Sequence, residues 1–427
     1  MTTTTPSLTG LAEAASQAAT ALAAKLEKGG YSTPSFAQDG LADYPKDPEI
    51  IGLRMPLLDA TTDLYRLALG PTDSSFMGPL LLIYRHSVTN ILNQFNFWNA
   101  VPIGGWATYA EITAQVNLPE SIVRRVLKYA ISIRIFSSAN DKPDSVCHTS
   151  ISALPARNRL YQNWLRHLLE EAGPGSLHVA ESLEKFSSGK QEPSQEPTES
   201  GFSLANIDKL DKPETFWEYV NREVEGKPKG WRSAKFAECM QVAASASVIK
   251  TDDLLKSAYD WNKLGEATVV DIGGFSGHDS TTIAQAFPNL KFIVQNLPQL
   301  QISFDEQVPA EIKSWVKFEP HDFLQPQNTQ DHVYMLKWHL VLHLESGSRI
   351  LLVEAVAPPD TAALPFATLS HMLNAAGMHM LQFFNSQERN LQVWANLLAK
   401  VDERLTFTYV SEVPGSVHQL LKVGLCT

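Results

Sequence analysis

The stretch VVDIGGFSGHDSTTIAQAFP, residues 269–288, constrains this chain more than any other. It runs from β-branched apolar residues through a glycine turn into a helical pattern. Gly273, Gly274 and Gly277 permit a tight turn and close approach of backbone to a ligand, and the helix that follows offers free N–H groups at its start. The spacing is Gly-Gly-x-x-Gly and no Gly-Lys-Ser/Thr follows, which excludes a phosphate-binding P-loop. Short apolar, β-branched runs recur after it: KFIVQN (291–296), SWVKFEPHDF (314–323), DHVYML (331–336) and SRILLVEAV (348–356). Runs of this kind, with helices between some of them, read as buried parallel strands. The C-terminal half is therefore expected to be a doubly wound α/β, Rossmann-like domain.

The N-terminal half has the other periodicity. LAEAASQAATALAAKLEKGG reads as one helix ending at Gly29-Gly30, residues 31–60 as loop, and about 62–100 as apolar helix. ATYAEITAQVNLPESIVRRVLKYAISIRIF (107–136) has the rhythm of a winged helix, turning at Asn117-Leu118-Pro119 and carrying Arg124 and Arg125 on its second helix. The Ser-, Glu- and Pro-rich stretch that follows is expected to be a flexible polar insertion. The expected division is a helical, winged-helix domain over 1–170, the insertion over 171–205, and the α/β domain over 206–427.

Charge and cysteines narrow the function classes. A formal net charge of −11 argues against a nucleic-acid partner, since phosphate binding needs a basic face. Arg124 and Arg125 then read as solvated or rim residues. Cys147, Cys239 and Cys426 are far apart and form no CxxC pair, which argues against a disulfide framework and a structural zinc site. MTTTTPSLTG lacks the basic and apolar regions of a secretory signal, and runs such as PLLLIY are too short to span a bilayer. The expectation is a cytoplasmic protein without a membrane partner.

Two strand ends sharpen the ligand. In this fold the residue closing the second strand binds ribose hydroxyls, and here it is Asn296, in QNLP. The third strand ends at His321-Asp322-Phe323, an acid and an aromatic suited to gripping and covering an adenine. A glycine turn with two such strand ends points to an adenosyl ligand.

VVDIGG, QNLP, HDF, LKW, RILLVEAVAPP, HML and QER together resemble the small-molecule O-methyltransferase family dependent on S-adenosylmethionine (SAM), over nearly the whole chain. The resemblance implies a class I SAM-methyltransferase domain behind a winged-helix dimerisation domain. It places Asp271, Gly273, Gly274, Asn296, Asp322, Phe323 and Lys337 at the SAM pocket or its edge, and it implies a homodimer.

The family's proton-abstracting His-Asp pair is not legible. Aligning Lys337-Trp338 puts Val341-Leu342 at its place, and sliding by two residues brings His343, followed by Leu344. His339 is no better placed. Glu388, in NSQERN, matches the glutamate that steers the histidine in that family. The chain also resembles fungal enzymes with this fold that bind SAM without consuming it, the pericyclases of leporin- and pyridoxatin-type 2-pyridone alkaloid pathways. That resemblance implies dehydration of a pyridone alcohol to a quinone methide, then Alder-ene or hetero-Diels–Alder cyclisation. Lys337 and His148 would be the catalytic residues, with Val413, Glu388 and His343 at the substrate pocket. The alternatives are an O-methyltransferase acting on an aromatic or polyketide hydroxyl with His343 or His339 as a displaced base, and a winged-helix regulator or inactive scaffold.

Overall fold

The computed structural model describes residues 6–139, 142–206, 212–246, 255–323, 325–327, 329, 333–337, 349–358, 364–411 and 418–425. Its contacts divide the chain into two units, one of residues 1–178 with 365–372 and one of residues 179–364 with 373–427.

In the first unit a helix over Leu8–Lys28 is followed by a long one over Pro48–Gln94. The expected loop to residue 60 thus ends early. Asp47 caps the new helix, accepting from the Glu49 amide at 2.7 Å, and Pro48 occupies the first turn, where its missing N–H costs nothing. The helix is broken at Gly70, whose φ of 71° no helical residue adopts. The winged helix is present. Strands β1 (Trp106–Thr108), β2 (Phe136–Ser138) and β3 (Ser145–His148) form an antiparallel sheet in the order β1-β3-β2, beside helices Tyr109–Val116 and Glu120–Ser132. Thr108 and Glu111 form a reciprocal capping box on the first helix, and Asn117 ends it in the left-handed region. Phe97, Trp98, Ile112, Val123, Leu127 and Phe136 fill the core between them. Arg124 is held inside this unit by Glu120 at 2.7 Å and Asp144 at 2.9 Å, and it lies over the Tyr109 ring.

The second unit contains a seven-stranded sheet in the order β6-β5-β4-β7-β8-β10-β9. Its strands are β4 (Ala267–Ile272), β5 (Leu290–Asn296), β6 (Val316–Pro320), β7 (Val333–Lys337), β8 (Arg349–Ala355), β9 (Leu405–Val410) and β10 (His418–Leu425). β4 to β8 are parallel to one another, while β10 runs antiparallel between β8 and β9. Alternation along each strand feeds two cores. Val269, Phe292, Val294 and Met335 face one layer; Val270, Ile272, Leu336, Leu352 and Trp394 face the other. The strand order reverses between β4 and β7, and in open α/β sheets the carboxyl ends at such a reversal form the ligand crevice.

The 171–205 stretch is corrected by the structure. It contains helices over Gly173–Leu177, Val179–Phe186 and Gly201–Asn206, and the second unit begins within it, at Val179, well before residue 206. Some of its groups bond within the protein. Ser182 donates to the Glu199 carbonyl at 2.6 Å, and Asn385 donates to the Glu196 carbonyl at 2.8 Å. Phe202 is buried, its ring stacked 5.1 Å from Phe383.

Candidate functional site

The glycine loop is built from backbone. Gly273, Phe275 and Gly277 all have positive φ, at 72°, 52° and 77°. The Gly273 amide donates to the Gln295 carbonyl at 2.9 Å, tying the end of β4 to that of β5, and the Gly277 amide donates to the Gly274 carbonyl at 2.9 Å. Gly277 then caps the helix His278–Ala286, whose first amides open toward the carboxyl edge of the sheet. Gly274 is required by space: a Cβ there would stand 2.4 Å from the Asp271 carboxylate. Asp271 itself is 2% exposed and accepts from the Ser280 hydroxyl at 2.6 Å. Its carboxylate lies against the turn at Gly274.

Asn296 closes β5 and is buried. Its Oδ1 accepts from the Leu297 amide at 2.8 Å, so the side chain turns its NH2 donors away from that bond. Its carbonyl accepts from the His321 amide at 2.9 Å, which brings the Asp322-Phe323 corner beside it. Phe323 is half-buried and packs against the core layer that holds Ile272 and Leu336.

Sequence reasoning missed what secures this corner. The Nε2 of Gln295, 1% exposed, lies 2.7 Å from Glu319, 2.9 Å from Gln327 and 3.1 Å from Thr329, sharing its two hydrogens among them, and its oxygen accepts from Gln327 at 2.8 Å. Thr329 donates in turn to Glu319 at 2.7 Å. The network clips the segment after Asp322-Phe323 to β5 and β6. Its visible signal was a glutamine inside an otherwise buried strand, since a buried amide must find partners.

Lys337 ends β7, on the same edge; its side chain, and all of His339, His343 and Val413, lie outside the described residues. Glu388 is placed by β8. The Ala357 amide donates to the Arg389 carbonyl at 3.0 Å, and Val356 bridges Arg389 in parallel fashion, so residues 388–389 stand at the carboxyl end of that strand. Glu388 is half-buried, and that burial raises its carboxyl above the ordinary range, with Arg389 partly opposing the shift. Asp271, Gly273, Gly274, Asn296, Asp322, Phe323, Lys337 and Glu388 thus all lie at strand ends or turns along the carboxyl edge.

His148 belongs to the first unit. It is 3% exposed in the core of that unit, its ring tilted at 33° to that of Phe136 with centroids 5.3 Å apart. The Val101 carbonyl, 2.9 Å from Nε2, can only accept, so Nε2 carries the proton and Nδ1 accepts from the Ser152 hydroxyl at 2.9 Å. Both nitrogens are used and the ring is neutral, which removes His148 as a proton carrier in this arrangement. Burial lowers its pKa from 6.5. The unfolded chain therefore binds the proton first. The stabilisation from His148 is complete above pH 6.5 and is lost as pH falls from there through the folded value. His148→Ala should lower unfolding free energy by about 3 kcal/mol, from two orphaned partners and a cavity. His148→Gln should flatten the pH dependence of the melting temperature below about pH 6.5. Calorimetry of both variants across that range checks the assignment.

Comparison with known proteins agrees with this geometry. An O-methyltransferase domain model matches residues 229–401. O-methyltransferase lcsG of Purpureocillium lilacinum is 32% identical over 405 residues, which cover 89% of this chain and 86% of that protein. The chain belongs to the O-methyltransferase family. O-methyltransferase aoiF of Aspergillus oryzae is 28% identical over 422 residues, covering 93% and 94% of the two chains. Among solved structures, OxaC in complex with sinefungin and meleagrin superposes with a TM-score of 0.71 at 18% identity, covering 96% of this chain and 99% of OxaC. LepI in complex with SAM superposes at 0.68 and 18%, covering 97% and 99%. At that identity the likeness is one of fold: the class I SAM-methyltransferase fold.

The residues present fit its cofactor, SAM. Gly273 and Gly277 give the turn after β4 its left-handed backbone, and Asn296 and Asp322-Phe323 stand at the two strand ends beyond it.

Proposed function

We propose that the protein is an O-methyltransferase acting on a hydroxyl of a small aromatic or polyketide acceptor, with Glu388 as the proton acceptor. The observation that carries this reading is the placement of Glu388 at the carboxyl end of β8, on the cofactor's edge of the sheet, with its carboxyl raised by burial. A carboxylate raised toward the working pH is a better base than an exposed one. SAM, when bound, supplies an electrophilic methyl group and leaves as S-adenosylhomocysteine (SAH). The glycine loop and the Asn296 strand end hold it, and Glu388 takes the hydroxyl proton.

A second reading is favoured by the link between parallel strands β7 and β8. Residues 338–348, WHLVLHLESGS, are short for a crossover that normally takes a dozen residues or more, and no acid follows His343. In that reading SAM stays intact, and a 2-pyridone alcohol loses water to a quinone methide that closes by an Alder-ene or hetero-Diels–Alder reaction. Lys337, at the end of β7, would stabilise charge on the pyridone oxygen. His148 would have no part in it.

One experiment separates them. The protein is incubated with methyl-labelled SAM and either a panel of phenols or a pyridone alcohol. Labelled ether with stoichiometric SAH is the expected result. A dehydrated, cyclised product with SAM recovered intact would replace the first reading by the second.

We also propose that the working form is a homodimer in the cytoplasm. Phe76, Leu82 and Ile83 are 69%, 69% and 63% exposed along the helix Pro48–Gln94, an apolar face of the kind a second copy covers. Sedimentation at micromolar concentration should give twice the mass of the 47.2 kDa chain. Among the described residues, no helix is long and apolar enough to cross a membrane.

A further inference from the structure

Phe275 is anomalous in the cofactor loop. Its φ of 52° lies in the left-handed region, where a bulky side chain is rare and glycine is at ease. The other two positive-φ positions of the loop are glycines. Strain of this kind persists where surrounding structure demands it, and it clusters at ligand sites. Here the demand is visible in the ring's position. Phe275 lies 6.1 Å from Phe236, which is 5.8 Å from Trp217, which stacks on Phe384 at 5.6 Å and 23°. Beneath them Phe216 and Phe383, each 1% exposed, pack edge-on at 4.9 Å and make the base rigid. The upper tier is partly open: Phe275, Phe236 and Phe384 are half-buried and Trp217 is 41% exposed.

We propose that Phe275, Phe236, Trp217 and Phe384 form an aromatic shelf beside the cofactor loop that binds the acceptor, and that the acceptor is a planar, fused aromatic ring system. The inference rests on the methyltransferase reading and deepens it. Ring faces and edges in this arrangement reward stacking geometry over mere apolar area, so they discriminate flat ligands from puckered ones of equal size. Phe275 is the specificity-determining member. A glycine at 275 would remove the backbone strain and leave the loop intact, but it would delete the ring nearest the cofactor.

The test measures binding of 2-naphthol and of its saturated counterpart, 2-decalol, by quenching of tryptophan fluorescence, with SAH titrated separately by calorimetry. Wild type should prefer 2-naphthol by about tenfold, the size expected when ring stacking adds to area burial. Phe275→Gly should lose most of that preference while still unfolding in one cooperative transition. Phe275→Tyr should retain the preference. A wild-type protein that binds both probes equally, or a Phe275→Gly protein that keeps the preference, overturns the shelf. Failure of wild type to bind SAH while it still selects 2-naphthol would overturn the cofactor reading and leave the shelf standing.

Discussion

Glu388→Gln is expected to cut methyl transfer by about a hundredfold or more, the usual worth of a positioned general base, while leaving SAH affinity near that of wild type. The substitution keeps shape and removes only the charge. It should also stabilise the protein at neutral pH, and the sign follows from the raised carboxyl. In the folded state Glu388 holds its proton more tightly than its ordinary value of 4.5. Its neutral form is accommodated at low pH, and folding loses stability as pH rises from 4.5 through the folded value. Glutamine has no such charge to desolvate, so the variant escapes that loss. Lower turnover with a higher melting temperature is the signature of a group kept for chemistry at a cost to the fold.

The pH profile gives an independent readout. Wild-type turnover should rise as Glu388 loses its proton, along one limb displaced upward from 4.5, and then level off. The residual rate of Glu388→Gln should lack that limb. Full activity in the variant would remove the base from the methyl-transfer reading and turn attention to the lysine at the end of β7.

The α/β half was legible because its constraints are local. A glycine turn between a β-branched run and a helix has few solutions, and β4, β5, β6, β7 and β8 were each visible as apolar runs. β9 and β10, LTFTYV and HQLLKVGL, carry polar residues between their apolar ones and give no such run. The stretch 171–205 failed for a different reason. Composition reports how much apolar surface a segment can bury, but it does not see Ser182 or Ser194 bonded to Glu199. At the site, Asn296 and the Asp322-Phe323 corner could be read from strand ends, since strand topology alone puts them there. His148 could not be judged without its surroundings. A histidine in CHTS has the same letters whether its nitrogens face a pocket or, as here, Val101 and Ser152. Phe275 was hidden inside the motif that was read best, because a sequence pattern records where glycines stand and not which other residue shares their backbone angle.

Gly274→Ala should be the most damaging single methyl group in the second unit. The backbone at this position is not left-handed, so alanine is permitted by torsion and the argument is purely one of space. The new Cβ would lie 2.4 Å from both Cγ and Oδ2 of Asp271 and 2.8 Å from Oδ1. That carboxylate is not a yielding neighbour, being 2% exposed and bonded to Ser280. Either the turn lifts from the end of β4 or the Asp271–Ser280 bond breaks. Overpacking of this kind costs about 2 kcal/mol of stability. A lifted turn also moves the backbone that faces the cofactor, so SAH affinity should fall by about tenfold or more. Gly277→Ala is the useful contrast. Its Cβ meets the edge of the Phe304 ring at 2.9 Å and its φ is +77°, so strain of about 1 kcal/mol falls on the helix start while Asp271 is untouched. The cause can be isolated by a double-mutant cycle with Asp271→Ala, which clears the space that the methyl group needs. If the collision is the mechanism, adding Gly274→Ala to Asp271→Ala should cost far less stability than adding it to wild type. Equal costs in the two backgrounds would mean that the glycine is kept for something other than the carboxylate beneath it.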